Sequence, residues 1–237
     1  MMYRAIYGGL DISCCILAGN RPSLSFFLEV EERIASHYPE LPEEVKEGGL
    51  FFVWQSPPTV ICGRNQVIGS EVNLDLCREK GIEVVRRKSG GGAVYSDSGN
   101  VMVSFILKRG EVADIFMSVL GRMARFLRGL SLDAEVSGRN DILVGGRKVS
   151  GNAFFQAPGA SIVHGTMLFD SDMEILGRVL TPSGEKLSSH GVASVRQRVA
   201  NLKPLLEEAG NPMELEAFKE ALSSYLGCET FDIQHYI

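Results

Sequence analysis

The residues with the clearest chemical potential lie in one short run, Val84–Asn100, which reads VVRRKSGGGAVYSDSGN. Its centre contains three basic side chains, one serine and three consecutive glycines: Arg86, Arg87, Lys88, Ser89, Gly90, Gly91 and Gly92. A ligand can approach glycine backbone closely, and successive N–H groups can surround a phosphate or carboxylate. Arginine adds planar, charged forks for the same oxygens. The run therefore predicts a site for an anionic ligand; the alternative is a glycine turn beside a solvated basic run.

A second candidate is Lys148, in the run Ser137–Ala153, which reads SGRNDILVGGRKVSGNA. The pattern places Lys148 on a strand, directly after a turn at Gly145 and Gly146. An inward-facing ammonium is costly to bury unless it meets an anion. Such a compact charge can contact a carboxylate and a phosphate together. A surface lysine on an edge strand is the alternative, and the spacing alone leaves it open.

A third run contains residues that could do chemistry only in combination with the others. His164 lies in Ile162–Asp170 (IVHGTMLFD), and Arg196 and Arg198 lie in Ser194–Leu202 (SVRQRVANL). Taken alone, the histidine fits a satisfied core residue and the two arginines fit the charged surface of a helix. None of the three identifies a function by itself.

The elements that must position these residues follow from apolar spacing and turn signals. Strands are predicted at Ile12–Ala18, Leu50–Trp54, Thr59–Cys62, Ile82–Arg87, Ala93–Tyr95, Val101–Leu107, Ala134–Val136, Ile142–Val144, Lys148–Phe155, Ser161–Phe169 and Thr230–Ile233. Helices are predicted at Asn20–Tyr38, Asn73–Lys80, Ala113–Leu130, Met173–Leu180, Lys203–Ala209 and Met213–Leu226. A loop is predicted where Pro39, Pro42 and Gly48-Gly49 interrupt the pattern. Strands joined by hairpins, with helices between groups of them, indicate an α+β fold with a mixed, largely antiparallel sheet.

Composition excludes several classes of protein. The chain has 237 residues, of which 45% are hydrophobic and 22% charged, as in a soluble domain. A net charge of −5 argues against a general nucleic-acid-binding protein. No apolar run approaches the roughly 18 residues of a membrane span. The five cysteines form no CxxC motif, so we expect free thiols and a cytoplasmic location.

In their order along the chain, the runs RRKSGGGAVYSD, GRNDILV, RKVSGNA, HGTMLFD and KLSSHGVASVRQRVANL resemble the lipoate–protein ligase A family. The resemblance extends from about Leu50 to Leu202, with a weaker match at Ser25–Glu32 (SFFLEVEE). It implies the catalytic-domain fold that lipoate ligases share with biotin ligases. It also implies activation of lipoate with ATP to lipoyl-AMP, followed by transfer of the lipoyl group to a lysine of an acceptor protein.

The resemblance assigns roles to individual positions. It implies nucleotide contacts at Arg87, Gly92, Ala93, Val94, Tyr95, Asp141 and Lys148. It implies lipoate contacts at Trp54, Arg86, Ser89, Gly90, Gly91, Lys148 and His164. Lys148 is the implied catalytic residue, Asp141 lies near the implied magnesium ion, and Leu180–Val195 matches an adenylate-binding loop. An apolar tunnel for the lipoyl chain is expected, with candidates Val53, Val85, Val103 and Phe105.

The implied cofactors are ATP and Mg²⁺, with lipoate as substrate. The implied partners are lipoyl-acceptor domains of 2-oxo acid dehydrogenase complexes or the glycine cleavage H protein. Two departures from the family pattern stand out. Ser96 occupies a position that is usually histidine, and residues 1–237 form a single catalytic domain without the C-terminal accessory domain of larger ligases. A separate accessory-domain protein is therefore a possible partner, whereas nucleic acid and membrane are not expected.

Three alternatives remain at this point. A lipoyl or octanoyl transferase would use a cysteine nucleophile, but no cysteine lies in Val136–Asn140 or Leu168–Ser189, where related transferases carry it. A biotin ligase would share the fold, with more arginine–glycine alternation in the loop. A catalytically silent lipoyl-binding subunit would fit a missing accessory domain, although Arg87, the glycines and Lys148 argue against it.

Overall fold

The computed structural model describes residues 1–12, 22–138, 140–180 and 198–236. Its strands are β1 (Tyr3–Tyr7), β2 (Leu10–Asp11), β3 (Leu50–Trp54), β4 (Thr59–Cys62), β5 (Glu83–Arg86), β6 (Val94–Ser96), β7 (Asn100–Leu107), β8 (Ala134–Ser137), β9 (Asp141–Val144), β10 (Arg147–Gln156), β11 (Ser161–Leu168) and β12 (Thr230–Asp232). Its helices are α1 (Leu24–His37), α2 (Glu43–Gly48), α3 (Ile68–Glu71), α4 (Leu74–Lys80), α5 (Val112–Gly129), α6 (Met173–Val179), α7 (Leu202–Glu208) and α8 (Leu215–Leu226). None of these helices is long and apolar enough to cross a bilayer.

Two sheets organise the described residues. The larger has nine strands in the order β12-β1-β3-β7-β11-β10-β9-β8, with β2 paired to β1. Every neighbouring pair from β3 to β8 is antiparallel, whereas β1 runs parallel to β3 and β12. The smaller sheet has three strands in the order β5-β4-β6. The prediction of an α+β fold with a mixed, largely antiparallel sheet is confirmed.

The large sheet buries different side chains on its two faces because successive residues of a strand point in opposite directions. Val53 and Val103 face α5 and α8, in a core that contains Leu120 and Phe218. Their neighbours Trp54 and Met102 face α1, in a separate core that contains Phe27 and Ile34. A third core joins the small sheet to α4 and α6 through residues such as Val60, Leu76 and Leu176. The face toward α1 is the one that meets the small sheet, because Ile61 of β4 packs there.

Local chemistry explains where the ends of the elements differ from prediction. Helix α1 begins at Leu24, not Asn20, because the side chain of Ser23 accepts a hydrogen bond from the amide of Phe26 and caps the helix. The segment predicted as a loop contains α2 instead. Acidic residues in its first turn suit the helix dipole, and Gly49, at φ 80°, ends it.

Strand β1 was not predicted, although it pairs with both β3 and β12. Its pattern of burial is mixed, so no clean alternation marks it in the sequence. Most of the predicted strand Ile12–Ala18 lies outside the described residues, and so do Cys14, Cys15 and Arg196. Among the described cysteines, Cys62 and Cys77 are buried free thiols and Cys228 is an exposed one.

Candidate active site

A cavity lies between the small sheet and the α1 face of the large sheet. It encloses about 100 Å³. Six residues selected from the sequence line it: Arg87, Gly92, Ala93, Val94, Lys148 and His164. Ten others, which were not selected, complete the wall: Leu24, Leu28, Ile61, Met102, Asn140, Gly151, Asn152, Ala153, Gly165 and Thr166. Arg87 of the glycine run and Lys148 of β10 therefore line one cavity that is largely apolar.

Arg87 holds the glycine loop from behind. Its side chain is buried, with 6% of the residue exposed, and burial lowers the pKa of its guanidinium to about 10. The guanidinium donates to the carbonyl oxygens of Gly90 (2.8 and 3.3 Å), Gly92 (2.8 Å) and Ile61 (3.1 Å). Most of the N–H groups of Arg87 thus donate to backbone carbonyls of the protein. Its predicted role in binding phosphate directly stays a prediction.

The carbonyl contacts of Arg87 determine where the loop amides point. In a trans peptide the carbonyl of one residue and the amide of the next face opposite sides. The amides of Gly91 and Ala93 therefore point away from the guanidinium. Within the described ranges, neither amide has a protein acceptor. Gly92 and Ala93 also line the cavity, so the loop offers free backbone donors of the kind that bind anions.

A close backbone contact fixes the distance between the glycine loop and the residue that follows β4. The α-carbon of Gly63 lies so near the loop that a Cβ built there would be 2.1 Å from the carbonyl oxygen of Gly91. Only glycine fits at that position without moving the main chain of the loop. The amide of Arg64 donates to the carbonyl of Ser89 (2.9 Å) beside it. Strand β4 and its following turn thus support the loop from below.

Lys148 approaches the cavity from β10, at a point where the pairing with β9 shifts register between Lys148 and Ser150. Its Nζ lies 2.8 Å from Oδ1 of Asp141, and both side chains are 31% exposed. Its end group passes over Gly151, where a Cβ would lie 2.8 Å from Nζ. The carbonyl of Lys148 accepts from the amide of Ala200 (2.9 Å). The main chain is well held, while the ammonium keeps one carboxylate partner and access to solvent.

Asp141 is the position that the resemblance associates with magnesium. Its Oδ1 is buried and accepts no well-aligned hydrogen bond, although Lys148 contacts it as an ion pair. No group of three or more histidine, cysteine, aspartate or glutamate side chains among the described residues could hold a metal ion. Magnesium is commonly bound by one or two carboxylates together with substrate phosphates. Asp141 fits magnesium in that manner only, as a single protein ligand beside a bound nucleotide.

A continuous chain of hydrogen bonds runs behind the cavity. The indole N–H of Trp54 donates to Oγ of Ser104 (2.8 Å), and that hydroxyl donates to Oε1 of Glu31. Oε2 of Glu31 lies 2.8 Å from Nδ1 of His164, and Nε2 of His164 lies 2.8 Å from Oγ of Ser89. All five residues are buried. We call this set, from Trp54 to Ser89, the polar chain.

Sequence reasoning missed Glu31 and Ser104, although a signal for Glu31 exists. Helix α1 buries an apolar stripe that includes Phe27 and Ile34, and Glu31 lies on the same stripe. A carboxylate among buried apolar residues is rare unless it is paired. Ser104 similarly occurs between two buried apolar residues of β7.

Several predicted site residues do not reach the cavity. Trp54 is fully buried and stacks on Phe27, with ring centroids 4.3 Å apart. Tyr95 points into the third core, where burial raises the pKa of its hydroxyl. Arg86 donates to the carbonyls of Gly63 and Arg64. The remaining predicted residues lie next to the cavity without lining it: Ser89, Gly90, Gly91 and Asp141.

The predicted tunnel residues are wrong for this cavity. Val53, Val103 and Phe105 belong to the core on the opposite face of the large sheet, toward α5. Val85 packs against the α1 core but does not line the cavity. The cause is the two-residue period of a strand. Met102, which is adjacent to Val103 on β7, lines the cavity instead. Most of the predicted loop Leu180–Val195 lies outside the described residues.

Known proteins resemble this chain in sequence and in fold. The family model of the lipoyl protein ligase A/B catalytic domain matches residues 24–227. Lipoate-protein ligase LplJ of Bacillus subtilis is 40% identical over 200 residues, which are 84% of this chain and 58% of that protein. The chain thus spans less than two thirds of that relative.

Solved structures share the whole fold. A crystal structure of lipoate-protein ligase A bound with ATP has a TM-score of 0.72 at 25% identity, over 98% of this chain and 90% of that chain. A bi-partite lipoate protein ligase of Thermoplasma acidophilum, described with its E2 lipoyl domain, has a TM-score of 0.75 at 24% identity. That match covers 98% of this chain and 88% of that chain, and it shows a shared fold.

Proposed function

Because the chain belongs to the lipoyl protein ligase A/B catalytic domain family, we propose that it activates lipoate with ATP to lipoyl-AMP. It then transfers the lipoyl group to a lysine of an acceptor domain. The name of the Bacillus relative supports the ligase assignment, and the ATP-bound neighbour supports the nucleotide. The proposal takes residues 1–237 as one catalytic domain.

One observation carries the proposal. Lys148 and the glycine loop face each other across a single cavity whose remaining wall is mostly apolar. The structure of lipoate matches this lining, because its aliphatic chain ends in a carboxylate. Apolar residues such as Leu28 and Met102 suit the chain, and the ammonium and loop amides suit the charged end.

In the first step, a carboxylate oxygen of lipoate attacks the α-phosphorus of ATP, and pyrophosphate leaves. Two anionic groups must approach each other, so fixed donors have to offset their repulsion. Lys148 supplies a movable ammonium, and the free amide of Ala93, which lines the cavity, supplies a backbone donor. Arg87 keeps that amide oriented by holding the loop carbonyls.

In the second step, the ε-amine of the acceptor lysine attacks the carbonyl carbon of lipoyl-AMP. AMP leaves with the bonding electrons, and the attacking nitrogen loses a proton. Lys148 stabilises the negative charge that develops on the carbonyl oxygen and on the departing phosphate. It acts as an electrostatic catalyst and forms no covalent bond with the acyl group.

Magnesium completes the proposed cofactor set. When bound beside the nucleotide, it would supply neutralisation of the phosphate charges, with Asp141 as its protein ligand. Asp141 also keeps the ammonium of Lys148 near the cavity until the nucleotide enters.

The proposed partners are lipoyl-acceptor domains of 2-oxo acid dehydrogenase complexes or the glycine cleavage H protein. The archaeal neighbour is described as a bi-partite ligase. On that analogy, the proposal also includes a separate accessory-domain protein for the activation step. It also places the reaction in the cytoplasm, in keeping with the free thiols of Cys62, Cys77 and Cys228.

Lipoate-dependent exchange of pyrophosphate into ATP tests the proposal. A ligase shows exchange, whereas an acyl transferase and a silent lipoyl-binding subunit do not. Exchange that appears only after a purified accessory-domain protein is added would establish the two-protein form. Transfer of an acyl group from an acyl carrier protein without ATP would replace the ligase assignment. No cysteine lines the described cavity wall, which argues against a thioester mechanism.

A further inference from the structure

Burying the polar chain costs free energy. Apolar side chains of similar volume would stabilise the fold about as well. Trp54 and Ser104 are 0% exposed, Ser89 1%, Glu31 2% and His164 8%. Replacing a buried, paired charge by apolar residues of similar volume is often neutral or stabilising for a fold. The chain's value therefore has to lie in the geometry that it imposes.

Glu31 sets the direction of every hydrogen bond in the polar chain. An ionised carboxylate only accepts, so Ser104 must donate to Oε1, as it does while receiving the indole N–H of Trp54. For the same reason, Nδ1 of His164 carries the hydrogen that faces Oε2. In the neutral tautomer with hydrogen on Nδ1, Nε2 presents a lone pair, and the hydroxyl of Ser89 is then the donor in their 2.8 Å contact.

Ser89 is the last residue with a side chain before the three glycines. Glycines have no side chains with which to anchor themselves, so the loop depends on contacts at its ends and on its carbonyls. Arg87 holds the carbonyls of Gly90 and Gly92. Ser89 holds the start, through its hydroxyl on His164 and its carbonyl on Arg64.

A serine, a histidine and a glutamate in this order also have the spacing of a nucleophilic triad. Ser89 is 1% exposed and does not line the cavity, so a substrate carbonyl has no access to its hydroxyl. The arrangement therefore positions the loop and performs no nucleophilic chemistry.

We propose that Glu31 and His164 are positioning residues that act through Ser89 to fix the glycine loop in its anion-binding geometry. The polar chain connects the loop to α1, β3, β7 and β11, so four elements of the fold determine one loop. This inference rests on the proposed function only in assuming that the loop amides serve the adenylation step.

Kinetics test the proposal with E31M, S89A and the double variant. The side chain of E31M has no acceptor oxygen, so Ser104 and Nδ1 of His164 both lose their partner. A displacement of about 1 Å can cost roughly 10²-fold in rate. We expect each single variant to lose about 10²-fold in kcat for pyrophosphate exchange. The double variant should lose the same factor, because both changes break one path.

Two matched controls separate this effect from generic damage. S36A removes a serine that contacts a histidine on the exposed face of α1 (3.2 Å), and E43Q changes a surface glutamate paired with Lys46. Both should retain wild-type exchange. A double variant that loses the product of the two single factors would overturn the proposal. A rise confined to the KM for lipoate would also overturn the proposal, because it would mean that the substituted residues contact lipoate directly.

A spectroscopic test does not depend on catalysis. The ¹⁵N shifts of His164 should show hydrogen on Nδ1 in the wild type and in S89A, where Glu31 remains as the acceptor. The amide of Arg64 should exchange with solvent faster in both variants, because its acceptor is the carbonyl of Ser89. Hydrogen on Nε2 in the wild type, or unchanged exchange at Arg64, would overturn the inference. If the wild type lacked pyrophosphate exchange, the proposed function would fail while these two measurements still decided the positioning role.

Discussion

The two walls of the cavity are built on opposite principles. On one side, the glycine loop is held by buried groups, with Arg87 on its carbonyls and Ser89 on His164. On the other side, Lys148 reaches in from β10 with a half-buried ammonium, and Asp141 is its carboxylate partner within the described part of the chain. The first wall has little freedom to move, whereas the second carries a charge that can change partners.

This difference matches two requirements of the proposed two-step reaction. Backbone donors are effective when they are fixed before the reaction, because they then cost no reorganisation. An ammonium that must serve first a carboxylate and a phosphate, and then a carbonyl and AMP, needs freedom to follow the charge. Four substitutions test this comparison, from the largest expected effect to the smallest.

Removing the mobile charge should give the largest loss. We expect K148A to lower the rate of lipoyl-AMP formation by about 10²- to 10³-fold, the range for loss of one charge-stabilising donor. Its free energy of unfolding should change by about 0.5 kcal/mol or less, because the side chain is only half-buried. Pyrophosphate exchange and urea denaturation measure the two quantities. Near wild-type exchange in K148A would remove Lys148 from the mechanism.

Displacing the glycine loop should give the second-largest loss of rate. In G63A the new methyl group would lie 2.1 Å from the carbonyl oxygen of Gly91, so the loop backbone has to move. We expect about 10²-fold slower adenylation, from a displacement of roughly 1 Å. A crystal structure of the variant should show the loop raised from β4. Unchanged kinetics with a visibly displaced loop would contradict the role of the loop amides.

Removing the buried anchor should affect stability as well as rate. R87M keeps an apolar chain of similar length but leaves the carbonyls of Ile61, Gly90 and Gly92 without their donor. We expect the free energy of unfolding to fall by about 2 kcal/mol, the scale for buried polar groups left unpaired. Urea denaturation of R87M beside K148A gives the contrast directly. Equal stability of the two variants would refute the distinction between the walls.

Adding one methyl group beside the side chain of Lys148 should give the smallest loss of rate. In G151A the new Cβ would lie 2.8 Å from Nζ of Lys148, but that atom ends a flexible side chain and can move aside. We expect a loss within about tenfold, roughly 1.4 kcal/mol. G151A and G63A therefore form a matched pair in steady-state kinetics. A larger loss in G151A than in G63A would reverse the assignment of rigid and mobile walls.

Most of the fold could be predicted from local pattern. Helix α4 ends at Gly81 in the left-handed region, as predicted. It begins at Leu74, one residue after the predicted start, because the side chain of Asn73 caps it. Strands β3 and β4 have the predicted bounds. Helix α2 was missed because Pro42 and Gly49 signal a loop, although they also bound a short helix.

The site was predictable only in part, and the reason is physical. Arg87, Gly92, Lys148 and His164 come together as the motif order indicated. The face of a strand that meets the ligand depends on which side another layer covers, and that is a tertiary property. Val103 and Met102 are equally apolar neighbours, and only the position of α1 decides which one lines the cavity.

The buried carboxylate on α1 has a practical consequence for anyone who engineers this protein for heat resistance. Residues that serve geometry at the expense of stability are the first to be replaced when stability alone is selected. A library screened for melting temperature would favour leucine or methionine at position 31, with an apolar partner at position 164. Thermostable survivors of such a screen should be tested for turnover before any of these changes is kept.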